Sequence, residues 1–375
     1  MISRSWAEIN LGALRRNLRA VRRTLNPGCK VLVPVKADGY GHGVAEAAEA
    51  LAQDADMFGV TNLEEAAVVR SRGIRHPLLL LASPFPEDFQ ALLDWNVIPS
   101  ICDETVAGEL AAWLRSRTLQ MPIHVKIDTG MGRLGIRYDR MGVFFNELNA
   151  LPELKLEGVY THLACADEES EAPSNEQLGR FENGLKNLNV HLNGVPALVH
   201  ALNSSGLQRF PHAQFGMVRC GGLIYGMNLL PVHLRKVAVE EAFFVKTLVL
   251  SVKKVKGGEG VGYGAAYRAP RDMRIAVLGM GYGEGLFRMP ESRVPVLLGG
   301  NRRFLAGRIS MNVSAAALED GDRVSPGDIA TFIGVDGGER ISLDEAAAPW
   351  KTIPYEVTCR LGKALPRKYF DSGKP

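Results

Sequence analysis

Lys36 stands where an apolar run meets a glycine-rich turn, in Val33-Pro34-Val35-Lys36-Ala37-Asp38-Gly39-Tyr40-Gly41-His42-Gly43. The residues before it read as a buried strand, so the amine at its end is expected to be desolvated. Desolvation penalises the ammonium form, which makes such a lysine a base and a nucleophile able to form a Schiff base with an aldehyde cofactor. The plainer alternative is a surface lysine ahead of a loop, and the apolar residues beneath it argue for burial. A second run, Ile123-His124-Val125-Lys126-Ile127-Asp128-Thr129-Gly130-Met131-Gly132-Arg133, puts residues 124, 126 and 128 on one face of a period-2 strand. That face looks either into a barrel or towards covering helices. Charge there must be paired or ligated, and Lys126 beside Asp128 suggests a pair. Arg133, beyond the glycines, is placed to reach a carboxylate or a phenolate oxygen.

Three further groups close apolar runs. His162 follows Gly158-Val159-Tyr160-Thr161, and Arg219 sits in Met217-Val218-Arg219-Cys220-Gly221-Gly222. An arginine beside two glycines suggests close approach of a ligand to backbone. Asn203-Ser204-Ser205-Gly206 offers hydroxyls and amides to a phosphate.

To be useful together, these residues must lie at one end of one sheet. Up to about residue 233 the chain alternates short apolar runs (31–36, 58–61, 78–81, 97–100, 123–128, 156–161, 198–202 and 218–224) with helical patterns at 44–53, 63–72, 89–94, 105–115, 141–148 and 176–188. Near-continuous apolar strands covered by helices indicate a parallel sheet, and eight such units favour a closed (β/α)8 TIM barrel. Barrel enzymes keep their chemistry at strand C-termini, with phosphate after strands seven and eight. Lys36, Arg133, His162, Ser204 and Arg219 all fall at such positions. From about residue 238 the grammar becomes Val- and Ile-rich runs between Gly, Pro and Asp turns, at 243–255, 261–263, 274–278, 294–298, 304–309 and 329–333. These predict a mainly β second domain. The segment 321–328 reads as turns that expose charge. The expected division is an α/β barrel at 1–235 and a β domain at 236–375, with the first ten or so residues pairing with the second domain.

Composition excludes several classes. The 375 residues are 46% hydrophobic, enough for large cores, and 44 basic side chains against 41 acidic give +3. That balance argues against a nucleic-acid partner. Lys253, Lys254 and Lys256 read as a solvated strand edge. No run approaches the roughly 20 apolar residues of a membrane span. The five cysteines have no CxxC spacing and suit reduced thiols in a cytoplasmic protein. No metal site is expected: His191, His200, His212 and His233 have no ligand spacing to one another. P-loop, HExxH and GxSxG motifs are missing. The glycines of 279–285 do not fit a dinucleotide loop.

Taken together, these segments resemble the alanine racemases, barrel-type pyridoxal-phosphate enzymes, over nearly the whole chain. The most specific pieces are Lys36 through Gly43, Asp128 through Gly135, Thr161-His162 with Ala166-Asp167-Glu168, and Met217-Val218-Arg219. In the second domain they are Val261-Gly262-Tyr263-Gly264, Gly307 through Asn312 and Ile353 through Val357. The resemblance implies a head-to-tail homodimer interconverting L- and D-alanine, the latter for cell-wall peptidoglycan. Each barrel mouth would be completed by the partner's β domain. It implies that Lys36 holds pyridoxal 5'-phosphate and moves the α-proton on one face, while Tyr263 of the partner subunit acts on the other. Racemisation needs a donor and an acceptor on both faces, and a tyrosine of ordinary pKa near 10 needs help to be a base. That help would come from His162 and, through it, Arg219, which also faces the pyridine nitrogen. Arg133 would lie near the phenolic oxygen and the substrate carboxylate. Lys126 matches a lysine often carbamylated. Tyr40, Asn203, Ser204, Gly221, Gly222 and Tyr355 correspond to cofactor-binding positions, and the Met311 backbone to a substrate-carboxylate site. Asp167, Tyr282, Arg288, Arg308 and Ile353 match an access corridor, narrowed by Tyr263 and Tyr355.

Two departures stand out. Ser310-Met311-Asn312 replaces the common Cys-Met-Asp, removing one negative charge near the carboxylate-binding edge. Asp38-Gly39 replaces the frequent Asn-Ala. Competing expectations are a racemase of broader specificity or preferring serine, a barrel-type amino-acid decarboxylase, and a non-enzymatic cofactor-binding barrel. The last would not need the long second domain.

Overall fold

The computed structural model describes residues 3–188, 198–288 and 293–372, so His191 lies outside the described residues. Eight parallel strands run in the order Met217–Arg219, Lys30–Pro34, Met57–Val60, Leu78–Leu80, Ile98–Ile101, Met121–Asp128, Leu154–Tyr160, Leu198–His200. The seam between last and first closes through Gly216 N–H to Val199 O (3.0 Å) and Arg219 N–H to Leu202 O (2.9 Å). The result is the expected βα barrel.

Alternation along each strand sorts the core. In Lys30–Pro34, Val31 and Val33 join the large cluster beneath the helices, while Leu32 belongs to a separate group with Met57, Leu79, Ile98 and Met217. That group fills one end of the barrel interior. The other end is polar and holds Ser100, His124, Lys126, Tyr160, His200 and Arg219, all buried. Helices start where a polar side chain can take an orphan N–H. Asn62 accepts from Glu65 N, and Asp103 from Thr105 N and Val106 N.

The second sheet is built around the long strand Phe243–Val255. It pairs antiparallel with Ser5–Asn10, Met273–Leu278 and Ile329–Asp336, and Ser5–Asn10 pairs parallel with Arg367–Phe370. The first strand of the chain therefore sits between two strands of the second half. Ser314–Leu318, Arg367–Phe370 and the helix Pro354–Ala364 carry no clear sequence signal. The first is alanine-rich, and alanine is depleted in strands.

Four expectations change. The first barrel strand ends at Pro34, not at Lys36. Residues 37–40 then form a left-handed turn, with φ of 52°, 53°, 61° and 55°. The last barrel strand stops at Arg219, because Gly221 and Gly222 begin a turn in which Ile224 N–H meets Gly221 O and Met227 N–H meets Gly222 O. The segment 304–309 is strand only to Phe304. Within 321–328, Asp322 is buried rather than exposed, because both its oxygens bond Arg303 and its backbone carbonyl accepts from Arg274.

Candidate active site

The left-handed turn that presents Lys36 is costly, since each non-glycine residue there loses about 1–2 kcal/mol. Its surroundings offset the cost. His42 Nδ1 bonds the carbonyls of Gly39 (3.1 Å) and Tyr40 (3.0 Å), and burial holds this imidazole neutral, with its pKa down at about 4. The Asp38 carboxylate accepts from Val44 N–H at 2.8 Å and ion-pairs with Arg367 of the second sheet. Glu65, also buried, accepts from Asp38 N–H (3.3 Å) and Thr61 N–H (3.0 Å). At Gly41 a methyl group would lie 2.1 Å from the Thr358 carbonyl oxygen, so no side chain fits.

Lys36, Lys126, Arg133 and Arg219 line one cavity of about 700 Å³, together with Tyr40, His162, Asp167, Asn203, Ser204, Gly221, Gly222, Ile353 and Tyr355. Asp167 is the one carboxylate among these lining residues. Four cations against a single acid make a site for an anionic guest. Burial, then the charges of Arg133 and Arg219, press the Lys36 amine towards its neutral form, although Glu65 and Cys359 oppose this. Lys126 is likewise pushed down to about 8 by burial, with Arg133, Arg219 and Lys36 adding to the effect.

Asp128 does not pair with Lys126. Its carboxylate turns to the N–H groups of Gly130 (2.9 Å) and Gly132 (3.1 Å), closing the loop that carries Arg133. Among the described residues no carboxylate ion-pairs with Lys126, whose ammonium instead stands 5.6 Å from the centre of the Tyr160 ring.

Arg219 forms the polar floor. Its Nη1 donates to His200 Nδ1 (2.9 Å) and His200 O (3.1 Å), and its Nη2 to Thr161 O (2.6 Å), Ala201 O (3.0 Å) and His162 Nδ1 (3.3 Å). Both terminal nitrogens are thus committed to the barrel, and the Nε–H has no partner among the described residues. Burial lowers the Arg219 pKa only to about 10, so the group stays a cation. Because arginine can only donate, His162 must accept at Nδ1 and carry its proton on Nε2. The same logic places the His200 proton on Nε2, facing His124 Nδ1 at 2.9 Å. Burial and the neighbouring cation Arg219 hold both His162 and His200 well below their ordinary pKa, hence neutral.

At one side of the cavity the hydroxyls of Tyr40 and Tyr355 close onto the two glycines. A methyl group at Gly221 would sit 2.5 Å from the Tyr40 hydroxyl, and one at Gly222 only 1.9 Å from that of Tyr355. Burial raises both phenols far above their usual range, so each remains a protonated donor. Two phenol donors, the Ser204 hydroxyl and backbone at Gly221-Gly222 suit a phosphate, and a lysine two residues past the strand end suits an aldehyde. The residues therefore fit pyridoxal phosphate.

The remaining sequence candidates lie elsewhere on the chain. Tyr263 is 63% exposed and Met311 57% exposed, and neither lines the cavity. They belong to neighbouring loops. A methyl group at Gly264 would lie 3.0 Å from the Arg308 guanidinium, while Tyr282 N–H bonds Ser310 O (3.0 Å) and Gly283 N–H bonds Met311 O (2.6 Å). Arg288 and Arg308 are exposed there too. Sequence reading missed His124 and Tyr160 as parts of the floor, and Glu65 and Glu284 as loop anchors. The period-2 run that flagged Lys126 already carried His124 on the same face.

Residues 9–229 match the family model for the alanine racemase N-terminal domain, and 242–369 that for the alanine racemase C-terminal domain. The alanine racemase of Desulfosudis oleivorans is 37% identical over 377 residues, covering 97% of this chain and 96% of its own. That of Carboxydothermus hydrogenoformans is 37% identical over 367 residues, covering 97% and 99%. Among solved structures, alanine racemase from Bacillus anthracis with bound L-Ala-P superposes with a TM-score of 0.91 at 32% identity, covering 100% of this chain and 97% of that one. Fold, cavity chemistry and matched length agree, and the chain belongs to the alanine racemase family.

Proposed function

We propose that the protein interconverts L- and D-alanine with pyridoxal 5'-phosphate, as a homodimer whose two active sites each draw on both subunits. The observation that carries this reading is Arg219: a permanent cation anchored by both terminal nitrogens at the floor of a cavity that also holds Lys36. Pyridoxal phosphate, when bound, supplies an aldehyde carbon for amines and a conjugated ring that accepts electron density from the substrate's α-carbon. A neighbour that cannot release a proton leaves the ring nitrogen unprotonated, which restrains that acceptance and favours return of a proton over other fates.

Lys36 would hold the cofactor through its amine and would take or return the substrate's α-proton on one face. Tyr263 of the partner subunit serves the opposite face, and the Nε2–H of His162 is free to support its phenolate oxygen. Tyr40, Asn203, Ser204, Gly221, Gly222 and Tyr355 hold the phosphate end. Arg133 and the backbone of the partner's Met311 receive the substrate carboxylate. Tyr263 and Tyr355 limit side-chain size, and Asp167, Tyr282, Arg288, Arg308 and Ile353 form the approach. Among the described residues no helix is long and apolar enough to cross a membrane. We place the protein in the cytoplasm, where D-alanine would feed peptidoglycan.

The test is a chiral assay on purified holoenzyme, started separately from each alanine enantiomer. Convergence of both to one mixture is expected; conversion in neither direction would sink the reading. Serine and larger amino acids in the same assay define the specificity, and carbon dioxide release from a basic amino acid would point to a decarboxylase instead.

Two outcomes follow from the floor. Arg219→Glu should slow racemisation by about 10² or more, the scale of a lost preorganised charge. The bound cofactor's ring nitrogen should then carry a proton, visible by nitrogen NMR. A protonated ring nitrogen in the unmodified enzyme would contradict the role given to Arg219. Lys126, with its depressed pKa and three neighbouring cations, is a neutral amine often enough to add carbon dioxide. The resulting carbamate would orient Arg133. Mass spectrometry of the native protein in bicarbonate should find one added carbon dioxide, lost in Lys126→Ala; an unmodified Lys126 under those conditions removes this part.

A further inference from the structure

The loop that carries Met311 is held by a bond from Asn312, one of the departures noted in the sequence. Asn312 Nδ2 donates to Glu284 Oε1 at 2.8 Å, and Glu284 Oε2 accepts from Gly281 N–H at 2.8 Å. Two glycines of the run 279–285, Gly281 and Gly283, face the same loop. A methyl group at Gly281 would lie 2.3 Å from Ser310 O and 2.4 Å from Met311 O, so the two loops touch backbone to backbone. Glu284 thus clamps one loop bearing Tyr282 to another bearing Met311, using one oxygen on each.

We propose that Glu284 and Asn312 are a matched pair of positioning residues for the substrate carboxylate. This rests on the reading that Met311 meets that carboxylate across the subunit interface. The amide at 312 does more than remove a charge. Opposite Glu284 only a donor can close the clamp, and an aspartate would set two acceptors against each other at bonding distance. The clamp leaves Met311 backbone fixed, so the carboxylate of an amino acid meets a preformed edge.

The test is a reciprocal exchange. Asn312→Asp should raise KM for alanine about tenfold, the scale of one lost charge-assisted bond, with kcat within about twofold. The inhibition constant of propionate, a carboxylate with no amine to react, should rise in parallel. Adding Glu284→Gln should bring both constants back to within about threefold of wild type. A glutamine can still accept from Gly281 N–H while donating to the new aspartate. If Asn312→Asp alone does not assemble, recovery of a dimer with near-normal KM in the double variant supports the pair equally. Unchanged constants in Asn312→Asp, or a double variant no better than the single, overturn the proposal. Wild-type turnover is measured first. Its absence sinks the functional reading, whereas normal wild-type turnover with an indifferent Asn312→Asp sinks this one alone.

Discussion

Mixing two inactive variants should restore activity. In the shared-site arrangement, Lys36 lies in the barrel cavity of one subunit, while Tyr263 stands 63% exposed on the β domain, outside its own chain's cavity. Lys36→Ala and Tyr263→Ala should each be almost inactive as homodimers. After subunit exchange, each heterodimer has one site lacking both residues and one site lacking neither. Two-fold symmetry makes the intact site equivalent to a wild-type site, so each heterodimer should turn over at about half the wild-type rate. Mass spectrometry must show that heterodimers formed and kept cofactor. If they did and activity stayed at the level of the parents, the two residues act within one chain or one role is misassigned.

Lys36→Ala by itself should lower racemisation at least about 10³-fold, because one change removes both the cofactor attachment and a base. The barrel should still fold. The left-handed turn is held by His42, Glu65, Val44 N–H and Arg367, none of which bonds the Lys36 amine. Phosphate donors remain, so the cofactor is retained without a covalent link. Borohydride reduction followed by peptide mapping should tag Lys36 in the wild type and nothing in the variant. Normal activity with an unchanged cofactor spectrum in Lys36→Ala would remove this residue from the mechanism.

The barrel was legible because most of its strands are apolar and its helices repeat apolar residues at helical spacing, signals that need no tertiary knowledge. The floor was only half legible. Lys126 and Arg219 announced themselves as charges inside apolar runs. His200 did not, because its partner Arg219 lies 19 residues away on the next strand around the barrel. Left-handed φ at Ala37, Asp38 and Tyr40 could not be read from residue types that normally avoid it. It is imposed by His42, Glu65 and Arg367 acting from outside the turn. The departures flagged in sequence became interpretable only in three dimensions. Asp38 supplies the carboxylate that Arg367 meets, and Asn312 supplies the donor that Glu284 accepts.

The pairing of Ser5–Asn10 with Arg367–Phe370 bears on how the protein is made. Asp38 waits for Arg367, a residue translated 329 positions later. During synthesis most barrel strands can associate as they emerge from the ribosome, although Lys30–Pro34 must wait for Met217–Arg219 on its other side. At that stage the turn that carries Lys36 lacks its Arg367 contact, and Ser5–Asn10 lacks both of its flanking strands. Until residues 367–370 arrive, a nascent chain carries an open sheet edge and a turn without its distal ion pair. A message cut short before them would leave Ser5–Asn10 with that edge exposed and Asp38 without Arg367.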